Sequence, residues 1–146
     1  MIDEIARLNA LVEFYRRDYN TGLYGRHDMM ARLRSIFDTE TFWLSFHDVT
    51  GLHEVNRLHG WSAGDSLLKQ VANDLQLCKE PCRVYLIGGD EFFTIHKTNP
   101  GDPQVRDAEG CTVWNKSFTS VDDMLDKLDK LVSERKRTLK RRRTDI

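Results

Sequence analysis

Residues 83–95 read RVYLIGGDEFFTI. Val84, Tyr85, Leu86 and Ile87 form an apolar, partly β-branched run. Gly88-Gly89 interrupts it, Asp90 and Glu91 follow, and Phe92 to Ile95 make a second apolar run. Two such runs about a glycine pair predict a β-hairpin. The charge sits in an unusual place, with two adjacent carboxylates at the junction of two strands that both read as buried. Isolated carboxylates are costly away from water, and a metal ion is one of the few partners that favours them there. Glycine followed by Asp is also ordinary turn chemistry, so the same residues read equally well as a solvated acidic turn.

A second stretch bears on that choice. Residues 41–49, TFWLSFHDV, are an apolar and aromatic run ending in Asp48, followed by Thr50-Gly51 and a helical pattern from Leu52. A strand that ends in a carboxylate and turns through glycine into a helix is where open α/β sheets bind ligands. The helix start offers N–H groups to phosphate. If the strands carrying Asp48 and Asp90 are neighbours, their carboxylates converge. Mg²⁺ typically takes one or two carboxylates plus substrate phosphates. Alone, Asp48 also reads, with less weight, as a helix N-cap.

Three motifs in register then resemble one family. GGDEF at residues 88–92 is the signature of the GGDEF family, the diguanylate cyclases of bacterial signalling. DYNTGLYGR at 18–26 is similar to that family's D-x-L-T-G-L-x-N-R, with Asn20 and Gly25 departing. DVTGLHEVNRLHGWSAGD at 48–65 is similar to D-x-D-x-F-K-x-x-N-D-x-x-G-H-x-x-G-D, with Asp48, Asn56, Gly60, Gly64 and Asp65 matching without a gap. The resemblance runs from about Asp18 to Phe93 and continues more weakly to the C-terminus.

The resemblance implies an α/β (α+β) palm-like nucleotidyl cyclase fold: a central, mostly antiparallel sheet flanked by helices. It implies condensation of two GTP into cyclic di-GMP at a homodimer interface, by attack of a 3′-hydroxyl on an α-phosphate. Asp48, Asp90 and the Val49 carbonyl would hold Mg²⁺, two ions per active site, with Mn²⁺ as a substitute. Glu91 is placed at the ribose and the reacting hydroxyl, so the catalytic set is Asp48, Asp90 and Glu91. Two metals suit such in-line displacement. Asn56 and Asp65 match the guanine-reading pair. Their chemistry agrees, since a carboxylate accepts from guanine N1–H and N2–H₂ while an amide both donates and accepts. Asp65 alone also reads as a first-turn helix acid. Gly51, Leu52 and His53 line the phosphates. Lys136 and Lys140, at i and i+4 on one helix face, match the basic pair used on the β- and γ-phosphates. Arg135–Arg143 also reads as a solvated basic run or an anionic-surface contact, with nucleic acid the less favoured partner.

Departures carry information. Thr50 replaces the second Asp of D-x-D, His53 the Lys, Arg57 the Asp after Asn56, and Trp61 the His after Gly60. Leu86 stands where R-x-G-G-D-E-F has Arg, which predicts a loss of transition-state stabilisation of the kind worth a few kcal/mol. The product-inhibition motif R-x-x-D would fall at Lys79–Cys82, which reads KEPC, and is absent. Two other readings follow. One is a catalytically degenerate nucleotide-binding or signalling module. The other is a palm cyclase making a different cyclic nucleotide, for instance from ATP, as CRISPR-related minimal polymerases do.

The rest of the chain frames these motifs. At 146 residues it suits a single domain, 1–146. The apolar and charged fractions, 40% and 31%, are those of a globular protein. No apolar run of about 18 residues predicts a membrane span, and the acidic, amphipathic N-terminus is unlike a signal peptide. Cys78, Cys82 and Cys111 lack metal-site spacing and read as reduced cytoplasmic thiols. The net charge of −1 hides an asymmetry, because Arg135–Arg143 holds seven of the 22 Lys and Arg. Periodicity predicts helices over 2–17, 27–37, 52–58 and 62–77, the third ended by Gly60 and the fourth capped by Ser62. Residues 98–110 read as a loop, 111–114 as a strand, and Ser120 as the cap of a last helix. The stripe Ile2, Ile5, Leu8, Val12 and Tyr15 is spare apolar surface, which predicts a transient homodimer.

Overall fold

The computed structural model describes residues 1–77, 83–101, 104–105 and 108–144. Helix α1 is Ile2–Arg16 and α2 is Arg26–Ile36; strand β1 is Trp43–Val49; α3 is Leu52–His59 and α4 is Trp61–Gln76. Strands β2 (Arg83–Ile87), β3 (Glu91–His96), β4 (Gln104–Val105) and β5 (Ala108–Trp114) follow, and α5 is Val121–Thr144. The five strands form one sheet in the order β2-β3-β1-β5-β4, and every ladder is antiparallel. The mixed architecture is the one the motifs imply, with β1 at the centre of the sheet.

Period-two alternation assigns the two faces. Leu44, Phe46, Phe93, Ile95, Tyr85 and Val113 share one face by register. They pack with Met29, Leu33 and Ile36 of α2 and Val121, Met124 and Leu128 of α5. Val49, Phe92 and Leu86 share the other face and pack with Leu68, Val71 and Leu75 of α4. The hydrophobic spacing of α4 and α5 therefore serves opposite sides of one sheet. The outer edge of β2 is covered at one point, where the Leu86 N–H donates to the Tyr24 carbonyl at 3.0 Å and Tyr24 pairs with Tyr85 in parallel.

Three expectations need correction. Ser62 does not cap α4. The helix starts at Trp61, and Gly60 is both its N-cap and the C-cap of α3. Gly60 has φ 86 and ψ 172, a region open essentially to glycine alone, and this lets one residue turn one helix into the next. Residues 98–110 are not all loop. Gln104 pairs with Glu109 and Val105 with Ala108, so β4 and β5 form a hairpin. The reason is the length of β1: its pairing with β5 reaches Val49↔Ala108, which satisfies the backbone groups of the strand's far end. Finally, Glu91 is not a turn residue but the first residue of β3, and Gly88, Gly89 and Asp90 form the turn. The predicted N-cap Ser120 is in place, its Oγ accepting from the Asp123 N–H at 3.1 Å.

Asn115 joins the two ends of the fold. It is 1% exposed, its Oδ1 accepts from the Phe42 N–H at 2.9 Å, and its Nδ2 donates to the carbonyls of Phe37 at 3.1 Å and Glu40 at 2.8 Å. Among the described residues no helix is long and apolar enough to cross a membrane.

Candidate active site

Asp48 occupies the last turn of the β1 pleat. Antiparallel pairing sets it directly opposite Glu91, so both side chains stand on the α2/α5 face of the sheet. Directly opposed residues have Cβ atoms about 4.5–5.5 Å apart. Each side chain is half-buried, and each makes interactions with its surroundings. Asp90 precedes Glu91 in the exposed turn, so it belongs to neither face. Among the described residues no cluster of three or more His, Cys, Asp or Glu forms a self-sufficient metal site. The donor set at this strand end is instead two or three carboxylates and the Val49 carbonyl. That is the incomplete oxygen set that suits Mg²⁺ completed by phosphates and water.

Gly51 carries φ 76 and forms the N-cap of α3, whose start has no side-chain cap hydrogen bond. A left-handed turn there would strain any residue with a Cβ. It aims the first N–H groups of α3, beginning with Leu52 and His53, outward beside Asp48, where the dipole favours an anion. His53 itself is exposed.

Asn56 lies one turn further along α3. Its Oδ1 is buried without a hydrogen-bond partner among the described residues. The reason is Gly64 of α4. A Cβ built on Gly64 would stand 1.7 Å from Asn56 Oδ1 and 2.7 Å from its Cγ. The amide fills the space that any other residue at 64 would occupy, and its Nδ2 end is the one turned away. Asp65 follows Gly64, half-buried. Asn20 reaches across from the loop after α1 and donates from Nδ2 to the Asp65 carbonyl at 2.8 Å. That loop is itself tied by hydrogen bonds, Asp18 Oδ2 accepting from the Thr21 N–H at 2.8 Å and from Thr21 Oγ1 at 2.9 Å. Sequence reasoning treated Asn20 as a mere departure and missed this contact.

The site also has a neighbouring cleft of about 640 Å³ between α2 and α5, floored by Phe46 and Phe93, with Arg26 and Glu91 among its walls. Arg26, the last residue of the 18–26 motif, therefore shares a cavity with the catalytic candidate Glu91. Leu86 is buried on the opposite face against α4, so no cation stands at its position. Lys136 and Lys140 fall on α5, but their side chains lie outside the described residues, as do Lys79 to Cys82.

Behind the site, on the α4 face, lies a buried polar chain. Thr94 Oγ1 is 2.8 Å from His47 Nε2 and 2.6 Å from His96 Nε2. One hydroxyl proton serves only one of these, so one imidazole donates and the other accepts. His47 is 2% exposed, and its Nδ1 has no partner among the described residues. Burial, assisted by the neighbouring His96, holds its pKa far below the ordinary 6.5, at about 3.

Residues 16–109 match the family model of the diguanylate cyclase GGDEF domain. The chain belongs to the GGDEF family. The GGDEF chain is 32% identical over 112 residues to an uncharacterised protein encoded in the hutH 5′ region of Streptomyces griseus, covering 71% of this chain and 46% of that one. It spans about half the length, or less, of the curated relatives it matches. Among solved structures it resembles the diguanylate cyclase SiaD of Pseudomonas aeruginosa, crystallised with its activator SiaC. The TM-score is 0.70 at 20% identity, over 93% of this chain and 64% of that one. It also resembles the coiled coil and GGDEF domain of DgcB from Caulobacter crescentus, crystallised with c-di-GMP. There the TM-score is 0.68 at 16% identity, over 94% and 91% of the two chains. At these identities the likeness establishes the palm-like GGDEF fold.

Proposed function

We propose that this GGDEF domain is a nucleotidyltransferase that condenses two GTP into cyclic di-GMP with Mg²⁺. The observation that carries the reading is the register pairing of Asp48 with Glu91 beside the uncapped start of α3. Asp48, the Val49 carbonyl and Asp90 would hold the metal, which when bound supplies charge neutralisation on the phosphates. Glu91 accepts the proton of the attacking 3′-hydroxyl. The N–H groups of Leu52 and His53 bind phosphate oxygens, and Lys136 and Lys140 hold the leaving pyrophosphate. Asn56 donates from Nδ2 to an acceptor of the guanine edge, and the Asp65 carboxylate accepts from N1–H and N2–H₂.

One palm holds one nucleotide, and closing a ring from two requires two sites face to face. Helix α1 buries none of its residues, and Ile5, Leu8, Val12 and Tyr15 stand exposed on it at heptad spacing. A second copy pairing along this stripe, transiently, completes the active unit. The buried Leu86 favours a second reading, a GGDEF module that binds nucleotide and signals through a partner without turnover. Incubation with each NTP and Mg²⁺, followed by mass spectrometry of the products, separates the readings. Cyclic di-GMP from GTP alone supports the first. Tight GTP binding without product supports the second, and a product from ATP overturns the guanine assignment.

A further inference from the structure

Among the described residues, Asn20 reaches the segment that carries Asp65 from outside α3 and α4 and hydrogen-bonds to it. Its planar amide is oriented by two independent constraints. Nδ2 is spent on the Asp65 main-chain carbonyl, and the backbone that carries Asn20 is held in the Asp18–Thr21 turn, with the Gly22 N–H donating to the Asp18 carbonyl at 2.7 Å. Leu23, at the end of the same turn, is buried against the α4 core and anchors the whole loop to that helix. In a planar amide the oxygen points away from the nitrogen's partner. Asn20 Oδ1, bonded to the same amide carbon, is therefore an acceptor held near Asp65, and it has no hydrogen-bond partner among the described residues. The Asp65 carboxylate and the Asn56 amide likewise make no side-chain hydrogen bond among them. Asn20, Asn56 and Asp65 thus carry hydrogen-bonding capacity that no group among the described residues consumes.

Resting on the guanine reading above, we infer that Asn20 is a specificity-determining residue whose Oδ1 accepts the second proton of the guanine 2-amino group. The exocyclic amine carries two N–H donors. Asp65 accepts one along with N1–H, and a second acceptor is needed if the other is not to be desolvated unpaired. Adenine has no amine at that position, and hypoxanthine has N1–H but lacks the amine. Inosine triphosphate therefore separates the contribution of Asn20 from that of Asp65. A pre-organised acceptor costs little to order on binding, which is what the 18–23 turn supplies.

The test is calorimetric titration of the full chain with GTP, inosine triphosphate and ATP, each with Mg²⁺, for the wild type and Asn20→Leu. The expected result is a three- to tenfold weaker GTP affinity in the variant, about the size of one net hydrogen bond, with inosine triphosphate affinity unchanged. Equal weakening of both nucleotides would reduce Asn20 to a tether between the turn and α4 and overturn the proposal. So would no change in either. If Asn20→Leu lacks the native melting transition, Asn20→Ala is read by the same ratio. Wild-type protein that binds ATP as tightly as GTP overturns the guanine reading itself, and this inference with it.

Discussion

Asp48 on β1 and Glu91 on β3 are direct antiparallel partners, two carboxylates opposed across the central ladder of the sheet. Like charges placed this way repel, and a bound cation at this strand end would relieve that repulsion. Mg²⁺ is expected to raise the melting temperature of the wild type, by ligand linkage. Asp48→Asn should abolish that increment and lower turnover at least about a hundredfold, a loss typical of removing one catalytic electrostatic contact. An Mg²⁺-dependent melting shift that survives in Asp48→Asn would dismiss Asp48 as a metal ligand.

Gly64→Ala places a methyl group within 1.7 Å of Asn56 Oδ1, and the amide must swing away. GTP binding is expected to weaken by tenfold or more, while the fold, read by circular dichroism, persists. The helical φ of residue 64 accommodates alanine readily, and alanine is the better helix former. Unchanged GTP affinity would mean that Asn56 does not touch the base.

Asn115→Ala removes three hydrogen bonds and leaves the Phe42 N–H and two carbonyls unpaired in the interior. The expected loss is about 2–4 kcal/mol in denaturant unfolding. The residue lies far from the strand end that carries Asp48, so the affinity of the folded protein for GTP should not change.

His47 links stability to acid. The unfolded chain takes up a proton near pH 6.5, whereas the folded protein resists it until about 3. Between these values the unfolded state binds more protons, so stability falls as pH drops through that window and is constant above it on this account. The slope from this one group is at most about 1.4 kcal/mol per pH unit. His47→Gln should flatten the profile between pH 6.5 and 3; an identical profile would assign the acid sensitivity to other groups.

Helix α1 offers the fifth test. Val12 is 55% exposed, so Val12→Asp should leave the melting temperature of the monomer nearly unchanged. Product formation in the wild type is expected to rise more than linearly with protein concentration, and this variant should need several-fold more protein to reach the same rate. Equal rates per subunit over a hundredfold dilution of both proteins would remove α1 from the assembly.

Much of this was legible in the residues themselves. The runs flanking Gly88-Gly89 specified a hairpin, because β-branched and aromatic runs about a glycine pair have few other solutions. The spacing of Leu67, Leu68, Val71 and Leu75 specified a buried helix face, and the motif letters marked Asp48, Asn56, Asp65, Asp90 and Glu91. These are local properties, set by backbone sterics and by the period of the apolar pattern. The tertiary structure decided what depends on register and on contacts between distant segments. Pairing set Glu91, not Asp90, opposite Asp48, because the three-residue turn Gly88–Asp90 shifts the start of β3 by one residue and a one-residue shift exchanges faces. The approach of α4 to α3 turned Gly64 into the wall behind Asn56. The fold carried Asn20, 45 residues away in sequence, onto the Asp65 carbonyl. No pattern in one chain announces such a contact, because its energy exists only once both segments are packed.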